Sequence, residues 1–275
     1  MNWKILPAAV ALAAFSASAP AQAQAPPAEQ KDDVALALVL AVDASGSVDN
    51  RRFELQKRGY AAAFRSPQVL NAIRSLGTPS IAVAMMQWTG PRLHVVVVDW
   101  ALVKDETSVG ALADAIDGAP RQLFGGGTSI SGAIDFSRLL LAQCPCHPAR
   151  RVIDISGDGS NNAGRPATQA RDEAVHDGVG INGLPILSLE PFLDRYYYDN
   201  VVGGPGAFVI PAENYDTFAD AILKKLITEI ADNRGESRRS IASDKKPFRD
   251  VTNSANFAAK LRRFRGEESS IARLP

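Results

Sequence analysis

The stretch "LVLAVDASGSVDN", residues 38–50, places a run of aliphatic residues directly before an acid and two serines. All of residues 34–42 are apolar, which is typical of a central strand in a parallel sheet with both faces covered. Such sheets bind ligands where their strands end. Asp43, Ser45 and Ser47 alternate on a short turn at that end, so the sequence predicts that their oxygen atoms form half of a ligand cage.

Two later segments offer oxygen atoms in the same way. "FGGGTSISGAI", residues 124–134, holds Thr128 behind three glycines at the start of a predicted helix, and "VIDISGDGSNN", residues 152–162, ends an aliphatic strand with Asp158 between two glycines. Carboxylate and hydroxyl ligands select magnesium, manganese or calcium rather than zinc. The alternative is that the hydroxyls only cap helices and the acid only supports a turn. The predicted metal ligands are Asp43, Ser45, Ser47, Thr128 and Asp158.

Strand and helix patterns alternate along the chain, with one hairpin. The segments 80–88 and 92–100 are strands joined by Thr89, Gly90 and Pro91, a connection so short that the pair must be antiparallel. The pattern therefore predicts an α/β fold: a doubly wound, mostly parallel sheet with one antiparallel edge strand. The other predicted strands are 34–42, 151–156, 181–189 and 207–211, and the predicted helices are 49–75, 105–116, 129–143, 166–177 and 215–230.

The three oxygen-rich loops together resemble the metal-ion-dependent adhesion site of von Willebrand factor A domains. The shared pattern is Asp-x-Ser-x-Ser, a threonine in a glycine-rich loop and a later Gly-Asp-Gly. The resemblance extends from about residue 34 to residue 230 and implies the Rossmann-like fold of that family. "LVLAVDASGSVD", "FGGGTSISGAIDF", "RVIDISGDGSNN" and "NVVGGPGAFVIPA" are more narrowly similar to a bacterial exported subfamily, the DUF1194-like proteins.

The resemblance implies a role for each predicted ligand. Ser45, Ser47 and Thr128 would reach a divalent cation, magnesium before manganese or calcium, through their hydroxyls, directly or through water. Asp43 and Asp158 would lie close and act partly through water. A cation held in this way is incompletely neutralised, so it would accept an Asp or Glu carboxylate from a protein partner. The implied function is an exported, metal-dependent protein-binding module in adhesion or assembly.

Two other functions stay open at the level of sequence. A bound cation can polarise a phosphoryl or acyl group, so a metal-assisted hydrolase is one alternative. A structural domain with a non-functional cage is the other. No nucleophile, general base, P-loop or dinucleotide fingerprint accompanies the cage, and we therefore expect no enzymatic activity. An acidic body, with 18 basic and 25 acidic residues between positions 24 and 233, also disfavours nucleic acid as a partner.

The segment "LEPFLDRYYYDN", residues 189–200, follows a predicted strand and should stand beside the cage. Glu190 and the consecutive Tyr196, Tyr197 and Tyr198 are predicted to form a rim that selects the partner, since tyrosine is enriched at binding hot spots. Trp88 is expected to extend this rim. The alternative is that some of these tyrosines pack a short helix onto the sheet.

The two ends of the chain differ in composition from the body. Residues 1–23 have the lysine, short apolar stretch and small-residue sites of a secretory signal peptide cleaved after Ala23 or Ala25, which predicts a periplasmic or secreted protein. Residues 24–33 are a polar spacer, and residues 34–233 are the predicted domain. The tail 234–275 carries 11 basic and 5 acidic residues and is predicted to be disordered. Phe257, Leu261 and Phe264 give it a weak potential for contact with a membrane surface; the alternative is a solvated tail.

Cys144 and Cys146 are the only cysteines, and we expect them in an exposed connection, either reduced or joined in a bridge. A metal site that combines them with His147 would lack a second ligand cluster. His94 and His176 have no partner motif, so structural roles are expected for them.

Overall fold

The chain folds as a five-stranded sheet with helices on both faces, and a computed structural model describes residues 31–232. The strand order is β3-β2-β1-β4-β5; only the β2–β3 pair is antiparallel. The predicted fold class is thereby confirmed. The strands are β1 (Asp32–Asp43), β2 (Ile81–Trp88), β3 (His94–Val103), β4 (Cys146–Gly157) and β5 (Gly180–Pro185), and the helices are α1 (Asn50–Arg65), α2 (Pro67–Arg74), α3 (Glu106–Gly118), α4 (Ile130–Ala142), α5 (Ala167–His176), α6 (Leu193–Asn200) and α7 (Phe218–Ala231).

Strand β1 lies at the centre of the sheet, and its residues 34–42 are all apolar because they pack into two cores. Leu38 and Leu40 pack on one face with the aromatic residues of α1 and α7, whereas Val39 and Ala41 pack on the other face with α4 and α5. Neighbouring side chains of a strand point to opposite faces, so both sets must be apolar. The end of β1, Asp43, is thus carried on the central strand of the sheet.

The three largest differences from the predicted element boundaries concern the first helix, β4 and β5. The predicted helix 49–75 is two helices, because Ser66 adopts an extended conformation and caps a new helix that begins with Pro67. Strand β4 begins five residues earlier than predicted, at Cys146, where it pairs with the start of β1. Strand β5 ends at Pro185 instead of continuing to residue 189.

The predicted strand 207–211 was wrong as a regular element. Only isolated bridges, Gly183 with Val209 and Ile186 with Ala212, join this segment to β5 and the residue after it. Backbone hydrogen bonds nevertheless hold it along β5; the Ile210 amide, for example, donates to the Gly183 carbonyl at 3.0 Å. The segment therefore occupies the place of a sixth strand and leads the chain back towards the site edge.

Cys144 and Cys146 form a disulfide with each other, and both are buried, so the expectation of an exposed connection was wrong. Their side chains belong to the core between the sheet and α4. With both sulfurs bonded to each other, they offer no thiolate to a metal site with His147. His94 stacks on Phe136 with ring centroids 4.9 Å apart, in keeping with a structural role.

Within residues 31–232, no helix has the length and apolarity needed to cross a membrane. The predicted signal peptide 1–23, most of the spacer 24–33 and the tail 234–275 lie outside the described residues.

Candidate metal centre

The first predicted ligand, Asp43, is fully buried, and only one of its two carboxylate oxygens accepts a hydrogen bond. Its Oδ1 accepts a hydrogen bond from the Ser45 amide at 2.7 Å, but its Oδ2 is buried with no hydrogen-bond partner. The pKa of Asp43 is raised to about 7, chiefly by burial; hydrogen bonding to Ser45 and to the Asp158 backbone lowers it, and the nearby charge of Asp158 adds to the rise. An acid in this condition is a favourable site for a cation, because a cation would compensate the cost of burying the carboxylate.

Hydroxyl groups connect the first loop to the third. Ser45 Oγ lies 3.2 Å from Ser47 Oγ, and Ser47 Oγ donates a hydrogen bond to Asp158 Oδ1 at 2.5 Å. Ser45 is buried and Ser47 is half-buried. The alternation of side chains after β1 therefore brings the Ser45 and Ser47 oxygens close to Asp158, at the edge where β1 and β4 end side by side.

Asp158 is fully buried, and both of its oxygens are engaged by protein groups. Tyr215 Oη donates a hydrogen bond to Oδ2 at 2.8 Å, while a nitrogen of the Arg52 guanidinium lies 3.6 Å from the same oxygen. Burial and the charge of Asp158 raise the pKa of Tyr215 well above its usual range, so Tyr215 remains a hydrogen-bond donor. These contacts orient Asp158 and fit a role through water rather than direct coordination.

Thr128 reaches the same end of the sheet on the glycine-rich loop. The Gly126 carbonyl accepts a bond from the Gly46 amide at 3.3 Å, and the positive φ angles of Gly125 and Gly126, 75° and 96°, allow this close approach. The Thr128 amide donates to Asn162 Oδ1 at 2.8 Å, which links the loop to the residues after Asp158. All three predicted loops therefore meet.

Arg121 is a part of the site that the sequence reasoning missed. Its guanidinium donates to the carbonyls of Val48 at 2.6 Å and Ala44 at 3.3 Å, and its Nε donates to the Leu123 carbonyl at 2.9 Å. It also lies over the Phe124 ring, 4.9 Å from the centroid. Arg121 thus ties the serine loop to the glycine-rich loop. A lone arginine before "FGGG" was the only sequence signal for it.

The predicted partner-binding rim is only partly exposed. Trp88 and Tyr197 are each 0% exposed, so their assignment to the rim was wrong. Strand alternation points Trp88 into the core beside Met86, and the helical spacing of Leu193 and Tyr197 turns both onto the sheet as the face that packs α6. Tyr198 is exposed.

Glu190 and Tyr196 are the rim residues that contact the site loops. Glu190 Oε1 accepts bonds from the amide and hydroxyl of Ser160, at 3.0 and 3.2 Å. Tyr196 Oη accepts a bond from the Asn161 amide at 3.2 Å. A Cβ added to Gly159 would lie 3.5 Å from both Glu190 Oε1 and Thr128 Oγ1, so these two oxygens face the same glycine.

The donor set fits a hard cation. The carboxylates of Asp43 and Asp158 lie with the hydroxyls of Ser45 and Ser47, and backbone contacts bring the Thr128 loop to the same edge. One carboxylate oxygen, Asp43 Oδ2, is buried and unpartnered. Across the part of the chain that the structure describes, no three His, Cys, Asp or Glu side chains come together as a metal cluster. The candidate centre contains two such side chains, Asp43 and Asp158, beside the serine hydroxyls.

The family described as "Protein of unknown function (DUF1194)" matches residues 33–234, almost the whole described range. The chain belongs to the DUF1194 family. A search of curated proteins gives no match for this DUF1194 protein. The narrower resemblance drawn from the sequence, to this family, is confirmed.

Solved structures share the fold of the DUF1194 chain. Proximal thread matrix protein 1 from the mussel byssus matches with a TM-score of 0.53 at 15% identity, over 73% of this chain and 47% of that one. Another structure of that protein, described as having a zinc-occupied MIDAS motif, has a TM-score of 0.52 at 16% identity, over 72% and 46%. The pilus adhesin SpaC from Lactobacillus rhamnosus GG matches with 0.52 at 16%, over 74% and 32%. The DUF1194 chain thus spans less than half the length of these proteins, and the likeness shows the fold.

Proposed function

We propose that this protein is an exported, non-catalytic binding module in which a divalent cation at the strand ends accepts an acidic side chain from a protein partner. One observation carries the proposal: the buried, unpartnered Oδ2 of Asp43 lies in the turn that also carries two serine hydroxyls. Asp43, Ser45, Ser47, Thr128 and Asp158 would hold the ion, with magnesium as its first candidate and manganese or calcium as alternatives.

The chemistry of the donors explains why a partner would be needed. Three of the five ligands are uncharged hydroxyls, and Asp158 already accepts bonds from Ser47 and Tyr215. A divalent ion in this environment keeps part of its charge uncompensated and favours a further anionic oxygen. The mussel matrix protein and the pilus adhesin of similar fold support a role in adhesion or assembly. The predicted signal peptide supports a location in the periplasm or outside the cell.

Calorimetric titration of the mature protein with magnesium, manganese and calcium tests the cation. We expect weak binding of one ion, and loss of that binding in an Asp43→Ala, Asp158→Ala double variant that remains folded. Asp172→Ala, which removes an exposed acid from α5, is the matched control and should bind as the unaltered protein does. Equal binding by the double variant would refute the cage.

Partner capture tests the rest of the proposal. Pull-down from periplasmic extract should recover a protein in magnesium and lose it with a chelator, while broad phosphatase and peptidase screens stay blank. Metal-dependent turnover in such a screen, lost in the same double variant, would favour the hydrolase instead.

A further inference from the structure

Exposed apolar side chains stand beside the candidate centre on two of its sides. Phe124 is 67% exposed and lies two residues before Gly126, which contacts the serine loop. Leu189 and Phe192 are 51% and 81% exposed and flank Glu190 in sequence. Single exposed apolar residues need no explanation, but a group beside a binding site indicates an interaction surface.

Both apolar groups are tied to the loops that carry the candidate ligands. Phe124 stacks under the Arg121 guanidinium, which bonds to the carbonyls of Ala44 and Val48 on either side of the two serines. Glu190, between Leu189 and Phe192, accepts two bonds from Ser160, two residues after Asp158. The surface is thus anchored to the candidate centre from two directions.

The charge of the molecule limits the kind of partner that fits. Residues 31–232 carry 18 basic and 24 acidic side chains, so the described chain is net negative. A partner rich in acids, or an anionic lipid surface, would be repelled outside the immediate reach of the cation. A single acid surrounded by apolar side chains avoids this repulsion and also matches the exposed phenyl rings.

We infer that the centre recognises a segment of another protein in which one Asp or Glu stands between large apolar side chains. The carboxylate would bind the cation, and the neighbouring side chains would pack on Phe124 and on the pair Leu189 and Phe192. This inference rests on the proposed function and adds the partner's side-chain chemistry to it.

Selection from a displayed library of random twelve-residue peptides tests the inference. The full-length mature protein is immobilised in magnesium, and bound peptides are released with chelator. We expect the released pool to be enriched in Asp or Glu with Phe, Leu, Ile, Met or Trp within three positions. A Phe124→Ser, Phe192→Ser double variant should keep the acid preference, lose the apolar preference and bind the best selected peptide about tenfold more weakly.

Leu139→Ser is the matched control, since Leu139 is 62% exposed but lies near the far end of α4 from Thr128. It should leave selection, peptide affinity and calorimetric magnesium binding unchanged. Magnesium binding should also be unchanged in the Phe124→Ser, Phe192→Ser variant, and circular dichroism checks that both variants are folded.

The remaining outcomes contradict either this inference or the proposed function, and they can be told apart. Acid enrichment without apolar neighbours would remove this inference and leave the proposed function intact, whereas a pool without acids and unaffected by chelator would contradict the proposed function itself. Magnesium-dependent dimerisation in sedimentation, lost in the double variant, would make a second copy the occupant. If the protein floats with phosphatidylserine vesicles only when both phenylalanines are present, the occupant of the surface is a lipid membrane. If a synthetic peptide of residues 260–275 binds better than the selected peptides, the occupant is this chain's own tail.

Discussion

Two buried acids, Asp154 and Asp43, lie on adjacent strands of the sheet, and only Asp154 has a cationic side chain beside its carboxylate. Asp154, in the middle of β4, has a cation supplied by the chain: Lys225 Nζ lies 2.7 Å from its Oδ1, and both side chains are fully buried. Neither Asp154 oxygen accepts a hydrogen bond, so the Lys225 ion pair is what compensates it, whereas Asp43, at the end of β1, has an Oδ2 with neither a hydrogen bond nor an ion pair among the described residues. Burial raises the pKa of each acid to about 7. The chain thus compensates the charge inside the sheet with its own lysine and leaves the charge at the strand ends open to a ligand.

The buried cluster of Asp154, Lys225 and Glu229 joins elements of the fold. Glu229 accepts a bond from Asn182 Nδ2 at 2.7 Å and lies 3.3 Å from Lys225, so α7 is joined to both β4 and β5 by polar contacts. The Phe208 amide donates to Asn182 Oδ1 at 3.0 Å and adds the irregular sixth segment. These contacts hold α7 in place together with the preceding Tyr215, which donates a hydrogen bond to Asp158 in the candidate metal centre.

The largest expected effect is the loss of the internal cation. Lys225→Met leaves two buried acids without compensation and should lower the free energy of unfolding by about 3–5 kcal/mol. Chemical denaturation at pH 8 measures this. Lys224→Met, on the exposed face of the same helix, is the matched control and should change stability by less than about 0.5 kcal/mol. Similar stability of the two variants would mean that Lys225 does not compensate the acids.

The second effect should have the opposite sign. Asp43→Asn keeps an oxygen for the Ser45 amide and removes an uncompensated charge, so with chelator present it should raise the free energy of unfolding by about 1–3 kcal/mol at pH 8. The same denaturation experiment measures it, and calorimetry should show that magnesium binding is lost. Asp117→Asn, which alters an exposed acid of α3, should do neither. A destabilised Asp43→Asn protein would make Asp43 structural, like Asp154.

The third effect is a pH dependence that belongs to Asp43. Its pKa in the folded protein, about 7, lies above the value near 3.8 expected for the unfolded chain, so the folded state holds the proton more tightly. Its favourable contribution is therefore complete below about pH 4 and is lost as pH rises to about 7, by at most about 1.4 kcal/mol per pH unit. Denaturation of the metal-free protein and of Asp43→Asn across this range should show a stability difference that widens with pH and then levels off. A constant difference would contradict the assignment.

The smallest effect concerns the hydrogen bond from Tyr215 that supports Asp158 in the candidate metal centre. Tyr215→Phe removes the hydrogen bond to Asp158 Oδ2 and should weaken magnesium binding by about tenfold, because groups that orient a ligand contribute to metal affinity at about this level. Calorimetry measures the affinity. Tyr198→Phe, which removes an exposed hydroxyl, should have no effect. Unchanged binding in Tyr215→Phe would show that Ser47 and Arg52 orient Asp158 without help from Tyr215.

The fold could be predicted, and the five candidate ligands proposed, because their sequence signals are local. An apolar strand followed by Asp43, and glycines before Thr128, identify strand ends and loops within a few residues. Tyr215 and Arg121 could not be found in this way, since each acts on a loop far away in sequence. Lys225 lies in the predicted helix 215–230 and was not singled out, although the acid in "RVIDIS" was a signal that this strand needed a buried partner. Trp88 and Tyr197 were misplaced because only packing decides which face they take.

The hydrogen bond between Ser47 and Asp158 joins residues 111 positions apart in sequence. Closing a loop of that length costs about 4 kcal/mol of chain entropy before its contacts form. Strands β1 and β4 must therefore be paired before the candidate cage exists, and a cation would find its ligands assembled only in a nearly complete domain. Such an ion would contribute little to the speed of folding. It would instead slow unfolding, which lengthens the lifetime of the native state.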